Sequence, residues 1–325
     1  MPLRVSVVIP AYNQQKFLLS CLEALAAQDF PSADYEIIIV DDGSTDNTSQ
    51  FVKNLQRTDK NIKYFFQNNK GPGAARNTGI KMAGSPIIAF TDSDCIPDRN
   101  WIKSAIPYFD DILVSGLEGK TVIANPVENT PFSHYAENIR GGAFLTCNIF
   151  YRKVIIEAAG GFDERFKLAI REDSDLAFTV LESGGKIIFA PEAIVYHPAS
   201  NPNYKRHFKK AGEGFYEALL YKKHPRLYRI NLKWYDGWAF PVYYYGYFFS
   251  LPLFLLAILL AVPFLSKTAL LFFLISHFST IFLACRKKKT TFKDVLILFF
   301  HFIIVPYLRL YWVMRGNIFF KTFVW

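Results

Sequence analysis

YEIIIVDDGSTDNTSQFVKNLQ, residues 35–56, decides the fold. It opens as a continuous apolar, β-branched run, passes through the polar cluster DDGSTDNT, and closes with apolar positions spaced as on one face of a helix. A strand that is apolar on both faces must be covered on both, so the run belongs inside a mostly parallel sheet. The same unit recurs on either side. VSVVIP precedes QQKFLLSCLEALAAQ, IKYFF precedes GAARNTGIKMA, and PIIAFTD precedes NWIKSAIPYF. Strands alternating with amphipathic helices give an α/β fold of nucleotide-binding type. Ligands of such sheets lie beyond the carboxyl ends of the strands, and there the chain places PAYN (10–13), DDGSTDNT (41–48), GPGAARN (71–77) and DSD (92–94).

The charge divides the chain. Residues 1–203 hold 19 Lys and Arg against 24 Asp and Glu, whereas residues 204–325 hold 18 against 4. A basic, aromatic last third flanked by long apolar runs fits a membrane surface better than nucleic acid, which is not expected as a partner. Cys21, Cys95, Cys147 and Cys285 show no zinc-binding spacing and read as reduced thiols. The N-terminal apolar run is too short for a secretion signal and is broken by Pro10, so the front domain is expected in the cytosol.

After residue 110 the pattern loosens. DILVSGLEGKTVIANPV reads as one or two strands, AFLTCNIFYRKVIIEAAGG as a strand and a helix, REDSDLAFTVLESGG as a short helix, and KIIFAPEAIVYH as late strands ending at His197. A domain of residues 1–203 closes there. Residues 204–237 mix Lys and Arg with aromatics, as an interfacial helix does. A membrane domain of residues 238–325 follows. The segments 238–265 and 268–285 are long enough to span, with a tight turn at Ser266 and Lys267. RKKK after Cys285 marks the cytoplasmic side. The third segment, 295–314, is interrupted by Pro306 and Arg309 and either spans tilted or lies in the boundary.

In TDSD, Asp92 and Asp94 are one residue apart. On an extended strand they share a face, so the two carboxylates repel unless a hard cation lies between them. The plain alternative is a polar loop that caps the next helix. Asp41 and Asp42, with Ser44 and Asp46, equally suit a turn and helix cap, and Arg76 a surface ion pair.

VSVVIPAYN, VDDGSTDNT, GPGAARN, TDSD and REDSDL, in this order, resemble glycosyltransferase family 2, the inverting nucleotide-sugar enzymes of the GT-A fold, over roughly residues 3–200. The resemblance implies Mg2+ or Mn2+, with Asp94 bound directly and Asp92 bound through water or to the ribose. It places Pro10, Tyr12, Asp41, Asp42, Gly73, Arg76 and Ser93 at the nucleotide sugar, a carboxylate at the base suiting uracil, thymine or guanine. It makes Glu172 and Asp173 the catalytic pair, with Asp173 taking the acceptor hydroxyl's proton. His197 resembles a further metal or phosphate ligand.

Two departures carry information. The family's processive members have a Gln-x-x-Arg-Trp segment before their membrane helices, and no glutamine follows Gln67, so a non-processive enzyme is expected. Cys147 stands where relatives commonly have a small residue. The expected partners are a nucleotide diphosphate sugar, a lipid-linked or glycan acceptor and membrane lipids, at the cytoplasmic face of a multi-pass cell-membrane protein. A sugar nucleotidyltransferase, or a membrane protein that binds nucleotide sugars without chemistry, are the alternative readings.

Overall fold

The computed structural model describes residues 3–124, 128–133, 136–231, 251–253, 255–256, 258–260 and 262–323. The β-branched runs form β1 (Val5–Ala11), β2 (Tyr35–Asp41), β3 (Ile62–Phe66) and β4 (Ile87–Phe90), all parallel, in the order β3-β2-β1-β4. Every residue of β2 is buried, as a strand covered on both faces requires. Ala11 stands opposite Asp41, so β1 and β2 end together. Phe90 stands opposite Val8, so β4 stops short and the chain after it turns over the end of β1.

Helices cover both faces. Leu18, Cys21, Leu22 and Leu25 form the apolar stripe of α1 (Gln15–Ala26) and pack in one core with Val5, Val7 and Ile9. Each fully buried leucine contributes about 1.5–3 kcal/mol. On the other face α3 (Pro72–Met82) comes so close that a Cβ at Gly79 would lie 2.3 Å from Val8 Cγ1. The helix α2 (Thr48–Thr58) buries only Thr48 and Val52.

The sheet continues through β5 (Ile96–Pro97), β6 (Val114–Ile123), β7 (Ile149–Arg152) and β8 (Lys186–His197), in the order β4-β7-β6-β8-β5. β7 runs antiparallel to β4 and β6, β8 parallel to β6, and β5 antiparallel to β8. β6 is one strand, and β8 crosses a register shift opposite Gly119 and Lys120 as one strand. The expected helix at NWIKSAIPYF is α4 (Trp101–Ala105) followed by a 3-10 turn over Ile106–Asp110, because Pro107 cannot continue the α-helical bonding. α5 (Lys153–Ala158) and α6 (Glu172–Glu182) complete this part.

The chain divides into two compact units, Met1–Asn125 with Tyr135–Ala199, and Pro126–His134 with Ser200–Trp325. The second unit contains α7 (Arg206–Gly212), α8 (Gly214–Lys223), α9 (Pro225–Asn231), α10 (Pro263–Cys285) and α11 (Phe292–Phe320). At 1.5 Å per residue, α10 and α11 are about 34 and 43 Å long, enough to cross a hydrocarbon layer of about 30 Å. Both are apolar enough to do so by length and composition. Most of the segment 238–265 lies outside the described residues.

One expectation changes here. α10 starts at Pro263, so Ser266 and Lys267 lie in its first turns and not in a hairpin; proline is accepted at the first helical position because its missing N–H has no partner there. The segment 295–314 lies within one continuous helix through Pro306, with Arg309 Nη2 facing Glu217 Oε1 of α8 at 3.7 Å. That carboxylate gives the arginine a counter-charge.

Candidate active site

β4 ends at Phe90 and the chain turns at once, Cys95 N donating to Asp92 O at 3.1 Å. Asp92 and Asp94 therefore lie in a turn and not on an extended strand; the turn, with Ser93 buried inside it, brings the carboxylates round. Cys21 of α1 holds this turn from below, its Sγ donating to Asp92 O at 3.6 Å. The pairing of Ile96 with Tyr196 then sets His197 beside Cys95. One donor atom from each of Asp92, Asp94, Cys95 and His197 lies within 4.8 Å of the others.

This set suits a divalent cation. His197 Nδ1 lies 2.9 Å from Pro198 O, which can only accept, so Nδ1 donates there and Nε2 is the ring nitrogen left to ligate. Burial, and then the charge of Asp92, pushes the Asp94 carboxyl up, with His197 opposing, so a further cation beside it would favour its charged form. Cys95 is the poorest donor of the four. Cys147 and burial push its thiol well up, and a neutral thiol does not bind a hard cation.

Arg76, expected beside the nucleotide or in a surface pair, is 2% exposed in the second turn of α3. Its Nη2 donates to Asp92 Oδ1 at 3.0 Å and its Nη1 to Glu172 Oε1 at 2.9 Å, while Phe162 stacks below the guanidinium with its centroid at 5.5 Å. One side chain thus ties the acid turn after β4 to the acid pair opening α6. Glu172 is 2% exposed, and its carboxyl is pushed up to about 7 by burial and then by Asp173, with Arg76 opposing. Arg171, just before, is left-handed with φ 70°, a conformation that costs a non-glycine residue roughly 1–2 kcal/mol. The bend sends Glu172 inward to Arg76 and sets Asp173 next to it. Asp173 Oδ1 accepts from Ser174 N at 2.6 Å, and burial nonetheless pushes this carboxyl up.

At the end of β2, Asp41 accepts from Ser44 N at 2.8 Å and Tyr64 Oη at 2.7 Å. Asp42 accepts from Gln67 Nε2 at 2.7 Å, Lys70 N at 2.9 Å and Gly71 N at 2.8 Å. These acids first shape the loops after β2 and before α3. Asp42 pulls in the loop before α3, where Gly71 has φ 97° and an added Cβ would lie 2.9 Å from Lys167 O. The tightly constrained glycine is Gly71 and not Gly73, whose Cβ would make ordinary contacts. Pro10 is the last but one residue of β1, and Tyr12, 48% exposed, follows the strand.

Sequence reading missed Asn13. Left-handed at φ 55°, it accepts from Thr45 N at 2.8 Å and Asp46 N at 3.2 Å, stitching the loop after β1 to the loop after β2. The available signal was an asparagine directly after a strand, since asparagine tolerates that conformation.

Residues 6–162 match the family model described as Glycosyl transferase family 2. Glycosyltransferase AglE of Haloferax volcanii is 29% identical over 207 residues, 60% of this chain and 67% of AglE. Poly(ribitol-phosphate) beta-N-acetylglucosaminyltransferase TarS of Staphylococcus aureus is 26% identical over 67% of this chain, which spans 39% of the length of TarS. Among solved structures, mannosyltransferase PcManGT from Pyrobaculum calidifontis, in complex with GDP-Man and Mn2+, superposes with a TM-score of 0.57 at 18% identity over 97% of this chain and 89% of that one.

Proposed function

We propose that this chain, which belongs to glycosyltransferase family 2 through residues 6–162, moves one sugar, or a few, from a nucleotide diphosphate sugar to a hydroxyl acceptor with inversion. The bridging of Asp92 and Glu172 by Arg76 carries this reading, because it makes the acid turn and the acid pair one cluster. Asp94, Asp92 and His197 would hold Mg2+ or Mn2+, which when bound supplies Lewis-acid stabilisation of a departing diphosphate. Asp173 takes the proton from the attacking hydroxyl. Its raised affinity for that proton suits a general base. Glu172, fixed by Arg76, fills the site beside it, so that one base acts from one side and no covalent sugar forms on the enzyme.

The strand ends carrying Pro10, Tyr12, Asp41 and Asp42 and the loop before α3 would seat the base and ribose, with Ser93 in the turn after β4 and Gly73 in the first turn of α3. Asp42 has three of its roughly four acceptor positions filled, which leaves one for an imide N–H. The acceptor class we infer is a lipid-linked or cell-surface glycan at the cytoplasmic face of the cell membrane. Support for that placement comes from α10 and α11 and from the basic loop Arg286–Lys289 joining them.

The test is transfer by purified full-length protein from a panel of nucleotide sugars to extracted lipid. Asp173→Asn should lower turnover by about 10²–10⁴-fold and leave donor binding intact. Undiminished transfer by this variant, or release of pyrophosphate from a nucleoside triphosphate by the wild type, overturns the reading.

A further inference from the structure

Glu118 of β6 is a buried carboxylate that the proposed reaction does not use. It is 4% exposed, and its partners are N–H groups of one loop between β6 and β7. Oε1 accepts from Gly142 N, and Oε2 accepts from Phe144 N at 3.0 Å and from Asn138 Nδ2 at 2.9 Å. Asn138 Oδ1 accepts from Gly141 N at 2.9 Å, and the Asn138 backbone exchanges two hydrogen bonds of 3.0 Å with Thr121 of β6. No Lys or Arg among the described residues pairs with Glu118. Burying a carboxylate with no cation beside it is costly. Glutamine would not replace it, because all three partners donate and one arm of an amide also donates.

The loop held in this way is strained. Gly141, Gly142 and Phe144 are left-handed, with φ 81°, 87° and 53°, and a Cβ on Gly141 would lie 3.0 Å from Glu118 Oε1. A left-handed phenylalanine persists only where its surroundings fix it, and here Glu118 takes its N–H. Register sets the loop at the edge of the site. Phe90, which leads into the Asp92–Asp94 turn, stands opposite Ile149, and Ile149 stands opposite Glu118. Glu118 is thus two strands, about 10 Å, from the last residue of β4. β6 then runs on to Ile123, opposite His197. Phe144 packs on Phe178 of α6 with centroids 6.2 Å apart, and Phe178 is five residues after Asp173. The strand ends assigned to the nucleotide, those of β1 and β2, lie on the other side of β4.

We propose that Glu118 is a positioning residue that holds Asn138–Phe144 as the platform on which the acceptor rests to reach Asp173. What the platform carries rests on the transferase reading above. Its outer surface offers Ile139, Arg140 and Gly142, all exposed.

The test uses full-length protein. Glu118→Gln should speed amide hydrogen exchange over residues 138–146 by about tenfold or more, the loss of one charged hydrogen bond. It should raise the half-saturating amount of lipid extract in the transfer assay by a similar factor and leave calorimetric donor affinity at its wild-type value. A merely structural carboxylate would lower the melting temperature and leave both substrates' half-saturating amounts as they are. Gly142→Ala is the second variant. Its Cβ meets nothing within 4 Å, yet φ 87° disfavours alanine, so it strains the loop with Glu118 in place and should shift the same quantity. The two substitutions together should act by less than the product of their separate effects, because both loosen one loop. Unchanged exchange over 138–146, an unchanged half-saturating amount of extract, or donor affinity falling by the same factor overturns the proposal. Absence of transfer by the wild type overturns the transferase reading, and the platform's role with it; transfer by the wild type with Glu118→Gln equal to it overturns the platform alone.

Discussion

Replacing Arg76 by Met removes the cation that joins Asp92 to Glu172. Deleting one partner of a buried ion pair costs about 3–5 kcal/mol, because the other is left with neither water nor counter-charge. Two features reduce that figure here. The Asp92 side chain is 30% exposed and recruits water, and Glu172 escapes by taking up a proton. The second escape makes the penalty depend on pH. In the wild type the Glu172 carboxyl titrates at about 7, above the ordinary 4.5, so its contribution to stability is full below pH 4.5 and is lost as pH rises through about 7. Without the opposing guanidinium the carboxyl moves higher, and the loss continues beyond that point. The penalty of Arg76→Met is therefore small in acid and grows above neutrality by up to about 1.4 kcal/mol per pH unit for the one proton involved. Thermal unfolding of the full chain at about pH 5.5 and about pH 8 reads it out, since about 2–4 °C accompanies each kcal/mol in a unit of this size. The variant should fall behind the wild type by several degrees more in the alkaline buffer. Adding Glu172→Gln should recover most of that gap, because a neutral amide strands no charge. Equal deficits at both pH values, or a double variant no better than the single one, would refute the coupling.

Asp173 and Asp94 are both pushed up by burial and both must be charged to act, so kcat/KM at saturating metal should rise with pH along an acid limb whose midpoint lies above about 4. A midpoint at the ordinary carboxylate value would show these acids to be solvated. Substituting His197 by Ala should weaken Mn2+ binding by about tenfold or more in calorimetric titration, with turnover restored at high metal; unchanged affinity removes His197 from the donor set. Gly79→Ala sets a Cβ against Val8 and should destabilise the fold by about 1–3 kcal/mol in denaturant unfolding, with Val8→Ala in the same chain recovering most of the loss.

The first four strands were legible because a strand covered on both faces needs a continuous apolar run, and VSVVIP and YEIIIV have no other use. β5 was not legible. It has two residues and exists only because Ile96 and Pro97 meet Tyr196 and Val195, a pairing no local pattern announces. The acid motifs were visible as residue types, but their geometry was not. Asp92 and Asp94 converge through a turn, and the partners of Arg76 lie 16 and 96 positions away. Local rules likewise misplaced the helix boundary near Ser266, since the acceptance of Pro263 at a first turn cannot be read from neighbouring residues, and neither can Glu217 opposite Arg309.

The choice of partners made by Arg76 bears on how the site works. Two acid pairs meet there, Asp92 with Asp94 and Glu172 with Asp173. Arg76 takes one member of each pair, Asp92 and Glu172, and fixes both in place. Asp94 and Asp173 take no hydrogen bond from it, and burial pushes both up, with His197 opposing at Asp94 and Arg171 and Arg76 opposing at Asp173. A single guanidinium set on Asp94 and Asp173 instead would have lowered the free energy of the resting protein and removed the two groups best able to receive a cation and a proton. The observed pairing holds the frame through one acid of each motif and leaves the other, whose charged form burial disfavours, to receive a ligand's cation or proton.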